Sequence, residues 1–140
     1  MRRSAALALV LLAAGCGSDA AKHALKPKVP APIQPARIRV RISAPTHHPR
    51  VNAPWPVTIR ATNGYGQAVR ATLTMRILFN GTSVGKVDNG RVYHFLGTWR
   101  EKPGHQITWP KASRGQPLQF EAIVTAQHRT VERTWAITVR

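Results

Sequence analysis

Arginine is the residue type whose spacing most suggests chemistry in this chain. Arg37, Arg39 and Arg41 alternate with apolar residues, so they project from one side of an extended strand. Arg60 and Arg76 fall on the polar phase of two further alternating segments. Because a guanidinium binds phosphate through paired hydrogen bonds, these five residues predict an anion-binding face. A solvated outer surface that binds nothing is the alternative.

The overall charge points to the same class of partner. The chain has 21 Lys and Arg against 5 Asp and Glu, which gives a formal net charge of +16. Such an excess favours lipid headgroups, wall polymers or nucleic acid. We expect no nucleic-acid binding, because no recognition helix and no aromatic RNA-binding strand motif is visible.

The acidic and nucleophilic residues argue against an enzyme. Asp88 falls in a turn, and Glu121 and Glu132 fall on the outward phases of neighbouring strands. We expect these two glutamates to pair with nearby basic residues, namely Arg129, Arg133 and Arg140. No serine lies in a nucleophile elbow of the G-x-S-x-G type. The sequence therefore predicts a non-catalytic protein without a cofactor.

Two further sets of side chains could bind a ligand. Trp55 and Trp99 lie at or near loops and could stack on sugar rings, although tryptophans at such positions also fill cores. His47 and His48 form an adjacent pair in a proline-bounded loop and are weak candidates for a metal site. The simpler interpretation is two loop histidines that become charged as the pH falls.

The N-terminus has the pattern of an export signal. Arg2 and Arg3 precede an apolar stretch too short to span a bilayer, and small residues lead directly to Cys16. The segment 12–16, Leu-Ala-Ala-Gly-Cys, resembles the lipobox of bacterial lipoproteins. That resemblance implies a removed signal over residues 1–15 and a diacylglyceryl group on Cys16. The alternative is an ordinary secretory signal, with Cys16 incidental.

Residues 16–36 read as a tether. Four prolines recur in this segment every two or three residues, namely Pro27, Pro30, Pro32 and Pro35. Such spacing favours an extended spacer over a helix or a strand. With Arg2 and Arg3 removed, the mature chain would carry +14. We expect a protein that is held by its lipid at a membrane of the cell envelope, on the extracytoplasmic side.

From residue 37 to residue 140 the apolar residues recur with period two. Seven or eight short strands, separated by Gly, Pro and Asn turns, predict an all-β sandwich. This rhythm resembles an immunoglobulin-like or fibronectin-like domain, without the paired cysteines of antibody domains. The family implies binding, spacing or scaffolding. The partner would be an anionic envelope polymer or another exported protein. The alternative is a lipoprotein that presents a carbohydrate or a metal ion to envelope machinery.

Overall fold

The computed structural model describes residues 37–140, and these residues form an all-β structure. The strands are β1 Arg39–Ser43, β2 Pro54–Trp55, β3 Thr58–Thr62, β4 Arg70–Phe79, β5 Thr82–Lys86, β6 Tyr93–Leu96, β7 Thr98–Arg100, β8 Ile107–Thr108, β9 Pro117–Ala126 and β10 Arg129–Thr138. A turn with positive φ at Asp88 and Asn89 covers Val87–Gly90, and a short 3-10 turn covers Lys111–Ser113. The expected signal, Cys16 and the tether lie outside the described residues.

The strands form three antiparallel sheets. One has the order β1-β3-β7, and a larger one has the order β10-β9-β4-β5. Strand β6 also pairs with β4, along the half of β4 that β5 leaves open. Strands β2 and β8 form a two-stranded ribbon. Residues 47–51 run parallel to the end of β10, where the amides of Thr138 and Arg140 donate to the carbonyls of His47 and Pro49 at 2.9 Å.

Alternation decides which face of each strand is buried. In β1 the apolar residues Val40 and Ile42 are buried and the arginines between them are exposed. Buried residues of both larger sheets belong to one apolar cluster, for example Ile59 of β3 and Phe120 of β9. The polar side chains of β1, β3 and β7 are thereby left on the outer face of the smaller sheet.

Glycine makes one of the connections between the two larger sheets. Gly97 joins β6 of the larger sheet to β7 of the smaller sheet with a φ of +68°. Its amide donates to Val69 at 3.0 Å, and its carbonyl accepts from Ala61 at 2.7 Å. A Cβ at this position would lie 2.7 Å from the Cβ of Ala68, so no other residue fits without a shift.

Residues 37–140 contain no helical segment with the length and hydropathy of a transmembrane span.

Candidate functional site

Four arginines lie together on the outer face of the smaller sheet, and we call this surface the arginine face. Arg39 and Arg41 come from β1, Arg60 from β3 and Arg100 from β7, and all four are exposed. Arg41 is the direct cross-strand neighbour of Arg60, while Arg39 lies opposite Thr62 and Arg100 opposite Thr58. Like charges in register repel each other, so this arrangement costs stability until an anion joins it.

Hydroxyl groups surround the four guanidiniums. A shallow groove of about 310 Å³ is lined by Arg41, Arg60 and Arg100, together with the side chains of Ser43, Thr58, Thr62 and Thr98. A second groove of about 400 Å³ adjoins it beside Arg39. No acidic side chain lines either groove, and among residues 37–140 both ion pairs involve Arg76 instead. The face therefore presents only hydrogen-bond donors and hydroxyls to an anionic ligand.

The structure separates the five arginines that the sequence grouped. Arg37 is exposed and its Cβ lies near Gly64, in line with Arg39, so it extends the arginine face. Arg76 lies on β4 of the other sheet and is not part of the face. Arg100 was not predicted from the sequence, because the three residues of β7 are too few to establish an alternating pattern.

Arg76 instead neutralises a buried acid. Glu121 is only 5% exposed, and its Oε2 accepts a short hydrogen bond from Nε of Arg76 in the adjacent register position. This hydrogen bond raises the pKa of Arg76. Nη2 of Arg76 also lies 3.9 Å from Oε1 of the exposed Glu132. The prediction that Glu121 and Glu132 pair with Arg129, Arg133 or Arg140 was therefore wrong about the partner.

Trp55 is a core residue and cannot stack on a sugar. It is 2% exposed, it meets Trp109 and Phe120 edge-on at 5.6 and 5.7 Å, and its Nε1 donates to the carbonyl of Thr46 at 2.9 Å. The sequence pattern misled because Trp55 lies between two prolines, which is typical of an exposed loop. Its ring is buried against Trp109 and Phe120, so its position depends on long-range contacts.

Trp99 lies in a different setting, a cavity of about 600 Å³ beside β7, which we call the β7 cavity. The cavity is lined by β7, by residues 88–94 and by the loop 101–105. Trp99 is partly exposed and its ring centroid lies 5.0 Å from that of Tyr93. The hydroxyl of Tyr93 donates to Oδ2 of Asp88 at 2.6 Å, and the guanidinium of Arg91 lies 5.4 Å from the ring centre of Tyr93. Desolvation, with that hydrogen bond, raises the pKa of Tyr93 to about 12.

Glu101 lines the same cavity and was not singled out by its sequence context. Its Oε2 accepts from the amide of Val57 at 3.1 Å, which ties the end of β7 to the start of β3. Its Oε1 is buried without a hydrogen-bond partner. Burial raises the pKa of Glu101 to about 7, although the amides of Val57 and Ile107 act in the opposite direction. This carboxyl can therefore be protonated near neutral pH.

The two candidate metal ligands lie at the edge of β10. The imidazole of His47 stacks on Trp135 with the ring centroids 4.1 Å apart, and its Nδ1 lies 2.7 Å from the carbonyl of Ala136. His48 is exposed beside it. Among residues 37–140, no three His, Cys, Asp or Glu side chains converge as they would around a metal ion. His47 thus serves in holding residues 47–51 against β10.

A larger and mainly apolar cavity of about 670 Å³ lies between the β4–β5 hairpin and residues 105–116. Ile77, Phe79 and Trp109 are among its walls, and it shares Asp88 and His105 with the β7 cavity. The two cavities are thus neighbours on either side of these two residues.

No protein family matches the sequence of this chain, and no curated protein matches it.

Proposed function

We propose that this protein is a lipid-anchored, non-catalytic immunoglobulin-like module that binds an anionic polymer of the bacterial cell envelope through its arginine face. The main support for this proposal is the arginine face. Four exposed guanidiniums share one sheet surface with hydroxyl groups, and none of the four forms an ion pair with an acid of the described residues. A polymer with repeated anionic groups would meet several guanidiniums at once, which multiplies the strength of individually weak contacts.

The strand order supports the immunoglobulin-like assignment. A small sheet β1-β3-β7 and a larger sheet β10-β9-β4-β5 match, in chain order, the A-B-E and G-F-C-C′ sheets of that fold. Each sheet contributes apolar residues to a common cluster, as in a sandwich. Domains of this kind present binding surfaces on their sheets and loops, and an exposed face of one sheet suits that use.

The anchor is supported by the sequence of the first sixteen residues. An n-region, an apolar stretch and small residues before Cys16 are the features that lipoprotein processing needs. Two acyl chains at Cys16 would hold the module at the membrane far more strongly than one. The proline-rich residues 16–36 would then set the domain away from the bilayer and toward envelope polymers.

The carboxylates of the domain support a non-catalytic role. Arg76 contacts both Glu121 and Glu132, Asp88 accepts from Tyr93, and Glu101 accepts from the amide of Val57. At least one oxygen of each acid thus has a partner that explains its position structurally.

Binding to a charge-only polymer tests the arginine face. We expect purified full chain to bind polyvinyl sulfate, because guanidinium groups bind sulfate as they bind phosphate. The triple variant Arg39→Gln, Arg41→Gln, Arg60→Gln should raise the dissociation constant by about tenfold or more.

The matched control changes the same number of charges on exposed arginines elsewhere, in the variant Arg114→Gln, Arg129→Gln, Arg140→Gln. It should raise the dissociation constant by about threefold or less, since only the long-range field changes. Equal losses in the two triple variants would show that binding follows net charge alone, and the proposed face would be rejected.

Intact mass tests the anchor separately. Protein extracted from membranes should begin at Cys16 and carry added acyl mass, and Cys16→Ser should abolish that mass. An unacylated wild-type chain in the medium would reject the lipoprotein assignment and leave a freely secreted basic domain.

A further inference from the structure

The β7 cavity and the arginine face are parts of one continuous surface. Thr98 and Arg100 line both the cavity and the neighbouring groove of the face. The opposite end of β3 leads into a turn that carries Tyr65, whose side chain is 87% exposed. A ligand that lies along β3 would therefore meet aromatic residues at each end and guanidiniums between them.

The β7 cavity has the chemistry of a sugar subsite. Sugars offer hydroxyl groups, which need donors and acceptors together, and carbon-bound faces, which pack on aromatic rings. Asp88 and Glu101 supply acceptors, Arg91 and His105 supply nitrogen groups that can donate, and Trp99 with Tyr93 supplies the aromatic wall. The unpartnered Oε1 of Glu101 is a group that a hydroxyl of a ligand could satisfy after a small side-chain shift.

The mixture of charges in this cavity differs from that of the arginine face. A bare phosphate or sulfate entering it would meet the carboxylate of Asp88 and, above its raised pKa, that of Glu101, as well as cations. An uncharged polyhydroxyl group meets no such penalty, because it can donate to the acids and accept from the bases. The two parts of the surface are thus suited to different parts of one ligand.

Building on the proposed function, we propose that the ligand is an anionic glycan, with its charged groups on the arginine face and one sugar ring in the β7 cavity. The ligand class is a polymer that carries phosphate, sulfate or carboxylate groups on sugar units, as distinct from a polyanion without sugars or a lipid headgroup.

Two polymers that carry the same charged group separate these ligands. Dextran sulfate has sugar rings and polyvinyl sulfate has none, and both are compared at equal sulfate concentration and similar length. We expect the full chain to bind dextran sulfate about tenfold more tightly, which is the contribution of one or two hydrogen bonds that involve charged groups.

A double variant of the cavity then locates this preference. Asp88→Asn, His105→Asn changes two cavity residues, and asparagine keeps the left-handed backbone that Asp88 adopts at φ +48°. The preference for dextran sulfate should fall to about twofold or less, while binding to polyvinyl sulfate stays within about twofold of wild type. The control Glu132→Gln, His128→Asn changes an exposed acid and an exposed histidine elsewhere, and should keep the preference.

The outcomes distinguish the two proposals. Equal affinity of the wild type for the two polymers would overturn the sugar subsite and leave the anion-binding face intact. A preference that survives in the cavity variant would also overturn the subsite. Failure to bind either polymer would reject the proposed function itself.

Discussion

At the scale of single residues, we expect the contact between the buried acid Glu121 and Arg76 to contribute to the stability of the larger sheet. Its carboxylate lies on the outer face of β9, yet Arg76 and the neighbouring strands leave it 5% exposed. Arg76→Met would retain much of the covering side chain and remove the charge. Since the carboxylate would then be buried without its donor, we expect the thermal midpoint to fall by about 5–10 °C.

The control for this substitution is Glu132→Gln, which removes only a 3.9 Å contact between Arg76 and an exposed carboxylate. Exposed ion pairs contribute little, so the midpoint should change by about 2 °C or less. Thermal unfolding followed by circular dichroism measures both. A midpoint for Arg76→Met as high as that of the control would mean that water replaces the guanidinium at Glu121.

Glu101 should make the stability of the domain depend on pH. Its pKa is raised from 4.5 to about 7 in the folded state, mainly because burial disfavours the carboxylate. Between pH 4.5 and about pH 7 the folded state therefore binds more protons than the unfolded chain. The contribution of Glu101 to stability is thus present at low pH and is lost as the pH rises toward 7. The thermal midpoint of the wild type should therefore fall between pH 5 and pH 8, relative to that of Glu101→Gln.

Glu101→Gln is the appropriate reference because all other ionisable groups are common to both proteins, so their effects cancel in the difference. Differences between the two unfolding curves at each pH isolate the one carboxyl. Parallel pH profiles for wild type and Glu101→Gln would contradict a raised pKa at this position.

At the scale of elements, the connection from β6 to β7 depends on Gly97. The residue combines φ +68° with a close approach to Ala68, so Gly97→Ala would strain the backbone and clash with the side chain of Ala68. We expect a loss of about 2–3 kcal/mol in the free energy of unfolding, measured by urea denaturation. Gly85→Ala in β5 is the control, because a Cβ there meets nothing within 4 Å; it should change stability by about 0.5 kcal/mol or less. Similar losses in both variants would show that the close approach at Gly97 relaxes easily.

Local patterns were sufficient to predict most of the longer elements. Alternating apolar and polar residues are sufficient to identify β1, β3 and most of β4 and β9, although the alternation in β4 breaks at Ile77 and Leu78, where its register with β5 shifts. Asn80 and Gly81 form the turn between β4 and β5, and both have positive φ. The last two strands, β9 and β10, form a hairpin with its turn at Gln127 and His128, both of which have positive φ. Strand β2 could not be predicted, because its two residues pair with β8 more than fifty positions away.

At the scale of the whole molecule, the candidate site was predicted only in part. The exposed arginines of β1 and β3 follow from alternation alone, because period-two spacing assigns each residue to one face of its strand. Which arginines share a surface depends on strand pairing. The pairing of β3 with β7 brings Arg100 to the face, whereas the pairing of β4 with β9 places Arg76 beside Glu121. The β7 cavity joins segments from residue 88 to residue 105, and no short motif marks it.

The excess of positive charge should act on folding and on binding in opposite directions. The described residues contain sixteen Lys and Arg but only four Asp and Glu, and several arginines are neighbours on the arginine face. Their mutual repulsion destabilises the folded state, and dissolved salt screens it. We expect the thermal midpoint to rise by several degrees between about 20 and about 200 mM NaCl. The screening length falls to about 10 Å near 0.1 M, so this range includes the salt concentration at which repulsion between neighbouring arginines is screened.

Binding of polyvinyl sulfate should weaken over the same range, because salt screens the attraction that holds the polymer to the arginines. The variant Arg39→Gln, Arg41→Gln, Arg60→Gln should be more stable than wild type at 20 mM NaCl and should gain less from added salt. If the repulsion is concentrated on the arginine face, added salt should raise the thermal midpoint of the control variant Arg114→Gln, Arg129→Gln, Arg140→Gln nearly as much as that of the wild type. Equal gains in all three proteins would instead show that the repulsion is spread over the whole surface, and the clustering of arginines would then have no separate energetic effect.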